Sequence, residues 1–366
     1  MKLYIIAGEA SGDLIGAQLV RALLKINPML EIQAWGGELM EKAGAEIRKN
    51  YSELAFMGFS EVVKNLPAIF KNFEFCKKDI LAFNPDIIVF IDYPGFNLRM
   101  ARWAKQKKIK NYYYVSPQVW AWNTKRVHEI KKNVDRLFCI LPFEKDFYKK
   151  YDFEVDYVGH PLIDIIDDYK KQHTSIQPRL SDKPIIAVLA GSRKQEIEKI
   201  LPVMLSVAAD FPDYDFIVAA VAHQPIELYT NILKQFSSEN IKILSNDTYN
   251  ILSQATAALV KSGTSTLETA LFNVPEVVCY KSSNFSYQIG KRVVRVPYIS
   301  LVNLVAGKKI VEELIQNNFT TRTLTVALRE AIKNSKKIKE DYIEMRAALG
   351  GGGASKRVAT MVNDKW

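Results

Sequence analysis

Cysteine and histidine are scarce in this chain of 366 residues, which has three of the first and four of the second. Cys76, Cys139 and Cys279 stand far apart with no pair spacing, which argues for a reducing cytoplasm and against a cysteine metal site. None of the histidines falls at His-x-x-x-His spacing, and no metal centre is expected. No apolar run approaches the roughly 18–20 residues that a membrane-crossing helix needs. Residues 1–7 are too short for a signal peptide and lead straight into a glycine turn, so they read as a first strand. That turn lacks Gly-x-Gly-x-x-Gly spacing, which disfavours nicotinamide dinucleotide binding. Repeats and long low-complexity segments are also missing.

The composition, 48% apolar and 25% charged, is that of a soluble globular protein, and the length suits two domains. A net charge of +10 implies an anionic partner: nucleic acid, a phosphorylated substrate or an acidic membrane surface. Strand-like apolar runs alternate with helical patterns, as in parallel sheets covered by helices on both faces. The clear strands are Leu3–Ala7, Ile87–Ile91, Asn111–Val115, Arg136–Ile140, Ile185–Leu189, Phe216–Ala220 and Ala257–Val260. The expected fold class is α/β, with two Rossmann-like domains facing a cleft. Residues 1–168 form the first domain and 169–345 the second, and 346–366 form a tail. There, Gly350-Gly351-Gly352-Gly353 reads as a flexible joint before a helix Ala354–Asn363.

The most informative stretch is Ser262-Gly263-Thr264, between the strand ending at Val260 and a helix with Leu267, Ala270 and Leu271 at helical spacing. A small-residue turn from strand to helix offers free backbone N–H groups at the positive end of a helix dipole, where a phosphate sits well, unless the turn is only an ordinary N-capped helix start. Glu268, one turn on, reaches a ribose hydroxyl beside bound phosphates. Leu189-Ala190-Gly191-Ser192-Arg193 repeats the pattern, adding a guanidinium fork for a diphosphate. In the first domain, Gly8-Glu9-Ala10-Ser11-Gly12-Asp13 follows the first strand and opens a helix at Leu14–Leu24, with Ser11 or Asp13 as a cap if the turn is only structural. Asp92, after Ile87–Ile91 and before Pro94-Gly95, suits a general base at a strand's carboxyl end or a turn cap. Ser116 and Trp120 lie in Ser116-Pro117-Gln118-Val119-Trp120-Ala121-Trp122, whose tryptophans wall a pocket or pack in the core. Asp213-Tyr214-Asp215 sits at the amino end of its strand and reads as a solvated turn, so a metal-dependent transferase is not indicated.

These loops, together with Gly159-His160-Pro161 and Tyr298-Ile299-Ser300-Leu301-Val302-Asn303-Leu304, resemble the lipid-A-disaccharide synthase family, in order over nearly the whole chain. The resemblance implies a GT-B fold with an N-terminal acceptor domain, a C-terminal nucleotide domain and a C-terminal helix that crosses back or is exchanged in a homodimer. It implies transfer of 2,3-diacylglucosamine from its UDP derivative to 2,3-diacylglucosamine 1-phosphate, with a β-1,6 link. The product is a lipid A precursor, UDP leaves, and no cofactor takes part. Asn303 enters as a cleft residue by this resemblance alone. Two departures stand out. The family commonly has a second acidic residue three positions after the first in the Ile-Asp-x-Pro loop, where this chain has Gly95, and Ala190 replaces a usual proline.

Inversion at the anomeric carbon calls for a base, Asp92, and for charge stabilisation at the departing diphosphate, Arg193 with the backbone of Gly191, Ser192, Gly263 and Thr264. Acylated substrates call for a lipid-facing surface. Val62, Val63, Leu66, Ile69, Phe70 and Phe73 make one helical face with Lys64, Lys71, Lys77 and Lys78 nearby, split by Pro67 into two short helices. The other reading of this face is an interior helix packed on the first sheet. The expected place is the cytoplasm, peripherally on the inner membrane. Another sugar-nucleotide enzyme of this fold, a UDP-N-acetylglucosamine epimerase or a muramyl-pathway transferase, would share the phosphate loops without an acyl-binding face. A nucleic-acid-binding protein is suggested only by the charge.

Overall fold

The computed structural model describes every residue except 55–65, 174–176, 295 and 365–366. The described chain forms two compact units, Met1–Ile165 with Gly351–Trp366, and Ile166–Gly350.

In the first unit the described strands are β1 (Lys2–Ala7), β2 (Glu31–Gly36), β3 (Glu46–Asn50), β4 (Ile87–Ile91), β5 (Lys110–Tyr114), β6 (Arg136–Cys139) and β7 (Asp156–Tyr157). All pair in parallel, in the order β3-β2-β1-β4-β5-β6-β7. The central strands are buried on both faces, which is why β4 reads Ile-Ile-Val-Phe-Ile without alternation. The second unit repeats the plan with β8 (Ile185–Leu189), β9 (Asp215–Ala220), β10 (Ile241–Ser245), β11 (Ala255–Lys261), β12 (Glu276–Tyr280) and β13 (Glu312–Ile315). Its order is β10-β9-β8-β11-β12-β13, again all parallel. Each sheet therefore reverses direction once, at β1/β4 and at β8/β11. Crevices at the carboxyl ends of two such strands are where doubly wound sheets take ligands.

Helix Ala354–Asn363 packs on helix Ala10–Ile26 in the first unit. The glycine run before it is tied down, which corrects the expectation of a loose joint. Asp164 accepts from the backbone N–H of Gly353 at 2.5 Å and of Ala354 at 3.0 Å, capping the helix. The Arg357 guanidinium donates to the carbonyls of Val158, Gly351 and Gly352.

The apolar face expected of residues 62–73 divides. Val62 and Val63 lie outside the described residues. Leu66 opens helix Leu66–Phe83, and Pro67 falls in its first turn, where a missing N–H costs nothing. Ile69, Phe73, Cys76 and Ile80 recur at helical spacing and pack into the first core, with Phe73 stacked on Phe96 at 4.3 Å. Phe73 is thus a core residue and not a lipid-facing one. Phe70 (63% exposed) and Leu81 (53%) stay outside, beside the exposed Lys71 and Lys78 and the half-buried Lys77. Asp215 also corrects its reading: it is buried at the start of β9, accepting from Lys242 at 2.5 Å and from Ser181. Among the described residues no helix is long and apolar enough to cross a membrane.

Candidate active site

Ala7 on β1 and Ile91 on β4 are register partners, so Gly8 and Asp92 leave the first sheet side by side. Asp92 and Tyr93 both take positive φ, 45° and 49°, a strained choice for residues with side chains. Hydrogen bonds on both sides of Asp92 hold that turn. The Asp92 N–H donates to the Tyr114 carbonyl at 3.1 Å. The Asp92 carbonyl accepts from Asn97 Nδ2 at 2.8 Å and from the Tyr113 hydroxyl at 2.5 Å. Gly8 must lack a side chain because the Tyr93 ring fills that space. Burial, and then the negative charge of Glu9, push the Asp92 carboxyl up to about 7, which suits a base working near neutrality.

Around this crevice the expected residues separate. Glu9 occupies the N-cap position of helix Ala10–Ile26, and Ser11 lies half-buried in its first turn. Gly12 is buried where the helix meets β1. Asp13 turns the other way. Its buried carboxylate accepts from the N–H groups of Gly37, Leu39 and Met40 at 2.7–3.1 Å, which fixes the turn after β2 and leaves it no part in an open cleft. Ser116 is buried and bonded to the Tyr148 hydroxyl at 2.7 Å. Trp120, half-buried, donates to Glu144 Oε1 at 3.1 Å. Glu144, fully buried, also accepts from the N–H groups of Ile140 and Leu141, and burial pushes its carboxyl up to about 7. Its position after Leu141-Pro142, opening helix Pro142–Lys149, was the available signal for a capping acid.

In the second unit Leu189 and Val260 are register partners, which brings the two glycine turns together at β8/β11. Gly191 has φ +103°, and a Cβ there would lie 2.7 Å from Glu196 Oε2, so only glycine fits. The Ser192 carbonyl accepts from His223 Nε2 at 2.8 Å and from Gln224 Nε2 at 3.1 Å. That pins the turn. Arg193 takes the N-cap position of helix Lys194–Leu205 with its side chain half exposed, and Nη1 stands 3.5 Å from Glu196 Oε1. Ser262 anchors the other turn by donating to the Ile299 carbonyl at 2.8 Å. Gly263 is at the N-cap position of helix Thr264–Leu271, and Thr264 is exposed in its first turn. One turn along, Glu268 accepts from the Tyr249 hydroxyl at 2.8 Å, and burial raises its carboxyl above the ordinary value. Asn303 does not join them. It is fully buried, donating to Val311 O and Glu313 Oε1 and accepting from the N–H groups of Ile310 and Val311, so its role is to brace the chain before β13.

The LpxB family, lipid-A-disaccharide synthetase, matches residues 3–363. The chain belongs to that family. It is 36% identical to the lipid-A-disaccharide synthase of Coxiella burnetii (strain Dugway 5J108-111) over 99% of this chain and 98% of the relative. It is likewise 36% identical to that of Geobacter sulfurreducens over 99% of this chain and 96% of the relative. Among solved structures, the S. aureus MnaA–UDP co-structure aligns with TM-score 0.70 at 15% identity, covering 100% of this chain and 96% of that one. CalG4, the calicheamicin glycosyltransferase, aligns with TM-score 0.62 at 16% identity, covering 99% and 97%. At such identities the likeness is one of fold, and the fold is GT-B.

A member of the lipid-A-disaccharide synthetase family is a hexosyltransferase of lipid A disaccharide synthesis. In this member the expected donor residues Gly191, Ser192, Arg193, Ser262, Gly263, Thr264 and Glu268 gather at one sheet reversal. Gly8, Glu9 and Asp92 gather at the other. His223, Tyr249 and Lys261 gave no sequence signal of the bonds they make at these turns, because their partners Ser192, Glu268 and Glu196 are distant in sequence.

Proposed function

We propose that the chain transfers 2,3-diacylglucosamine from its UDP derivative to 2,3-diacylglucosamine 1-phosphate. The acceptor hydroxyl gives its proton to Asp92, its oxygen bonds to the anomeric carbon with inversion, and the bond to UDP breaks. Arg193 and the backbone N–H groups of the two glycine turns take the charge that builds on the diphosphate, and Glu268 holds the ribose. What carries this reading is the matched placement of the loops. In each sheet, the chemistry-bearing residues lie at the carboxyl ends of the two strands where the order reverses.

Every charge in this scheme is met by the chain's own groups, so no metal or cofactor is assigned a step. The substrates are greasy, and Phe70 and Leu81 with Lys71, Lys77 and Lys78 offer a face for the cytoplasmic surface of the inner membrane. Each large side chain contributes at most roughly 1.5–3 kcal/mol and each lysine near anionic lipid about 1 kcal/mol, so docking is reversible. A homodimer belongs to the same reading, and sedimentation velocity tests it.

The test is UDP release from both acylated sugars, with and without chelator. Wild-type turnover persists in chelator. Asp92→Ala loses about 10²–10⁴-fold, and Arg193→Ala loses about 10²–10³-fold. Full activity in both variants, or turnover abolished by chelation, overturns the assignment.

A further inference from the structure

Nothing in the spacing of the sequence singles out Lys261, the last residue of β11. Its stem runs past Gly191, with Cδ 3.4 Å from where a Cβ on that glycine would sit. Its ammonium ends 3.8 Å from the corresponding position on Gly263 and 2.9 Å from Glu196 Oε1. The same carboxylate oxygen stands 3.5 Å from Arg193 Nη1. One acid thus gathers two cations, and one of them lies where the two glycine turns meet. The lysine and glutamate side chains are each only 19% exposed, so this pair is shielded from the salt that weakens surface pairs.

We propose that Lys261 is a second diphosphate-binding cation, which takes the phosphates of UDP together with Arg193, and that Glu196 positions both. The inference rests on the reading that places UDP at this reversal. A lone Lys–Glu pair would only fasten helix Lys194–Leu205 to β11. Two cations on one carboxylate leave a net positive charge beside two glycine turns that each open a helix, and that combination suits a phosphate anion. Lys261 sits at the end of a fixed strand, so its ammonium is already placed before the ligand arrives. Arg193, on a half-exposed arm, supplies the directional fork.

The experiment titrates the full-length protein with UDP and, separately, with uridine, which has the base and ribose but no phosphate. Lys261→Met is expected to weaken UDP about 10- to 100-fold, as for losing a charge-assisted hydrogen bond, and to leave uridine unchanged. Lys261→Arg restores most of the UDP affinity. If Lys261→Met weakens UDP and uridine alike, or neither, the lysine is a structural fastener and the proposal fails. Arg193→Met separates this failure from failure of the site. UDP lost in Arg193→Met but kept in Lys261→Met leaves the site standing without Lys261. UDP binding unaffected by both, or missing from the wild type, removes the site and the inference together.

Discussion

The ring of Tyr93 occupies the space that any side chain on Gly8 would need: a Cβ there would lie 2.3 Å from ring Cδ1 and 2.4 Å from Cγ. The contact links the carboxyl ends of β1 and β4, and it does so through the residue that shares a left-handed turn with Asp92. A ring attached to strained backbone has little freedom to move aside. Gly8→Ala is therefore expected to push the Asp92–Tyr93 turn as a whole, reorient the Asp92 carboxylate and lower kcat about 10²-fold, the usual cost of misplacing a reacting group by an ångström. UDP affinity, set in the other unit, should stay within about twofold. Steady-state kinetics beside UDP titration check both. Unchanged kcat would show that the turn does not depend on this packing.

The pH dependence follows from the raised carboxyl of Asp92. As a base it works ionised, so kcat/KM should rise with pH and level off above about 7. Burial is the larger cause and Glu9 the next, so Glu9→Gln removes only the second. The acid limb then moves to lower pH. A pH–rate profile of wild type and Glu9→Gln decides it, and coincident limbs would mean that the two carboxyls do not feel each other.

Much of this architecture was written in short-range pattern, and the exceptions share one cause. Strands β4 and β8 match their sequence-derived limits residue for residue, because unbroken apolar runs between turn residues have few other uses. Strands β3 and β10, at the sheet edges, carry half-exposed or charged residues and gave no such signal. The glycine turns after β8 and β11 were legible as strand-to-helix turns for the same local reason. What could not be read were pairings at long separation: Asp13 reaching Gly37, Trp120 reaching Glu144, and Lys242 covering Asp215. Phe70 and Phe73 show a finer limit. Three residues apart on one helix, they sit on either side of the line between solvent and core, which only the packed partner Phe96 decides.

That division predicts opposite outcomes for two similar changes. Phe70→Glu alters an exposed ring beside lysines, so the protein should fold normally and shift from membrane to soluble fraction. Phe73→Glu puts a carboxylate into the stack with Phe96 and should cost about 3–5 kcal/mol or prevent folding. Flotation on anionic vesicles, with a thermal melt of each variant, tells them apart. A Phe70→Glu protein that still floats like wild type would place the docking surface elsewhere.

His160 gives a prediction on stability. It is buried, and desolvation lowers its imidazole to about 3, so it stays neutral in the fold. In that form Nδ1 accepts from the Leu162 N–H at 3.3 Å at the start of helix Pro161–Gln172. In the unfolded chain a histidine takes its proton near pH 6.5. A lowered folded value means that the stability is fully present above pH 6.5 and is lost as pH falls toward 3. Across that window the unfolded state holds one more proton, and stability drops by about 1.4 kcal/mol per pH unit from this group alone. Asn in its place keeps an acceptor near Leu162 but does not titrate. The difference in urea stability between wild type and His160→Asn should therefore be constant above pH 7.5. Between pH 6 and 4 it should move against the wild type at that slope. Parallel curves down to pH 4 would mean that the buried imidazole can be protonated without leaving its place.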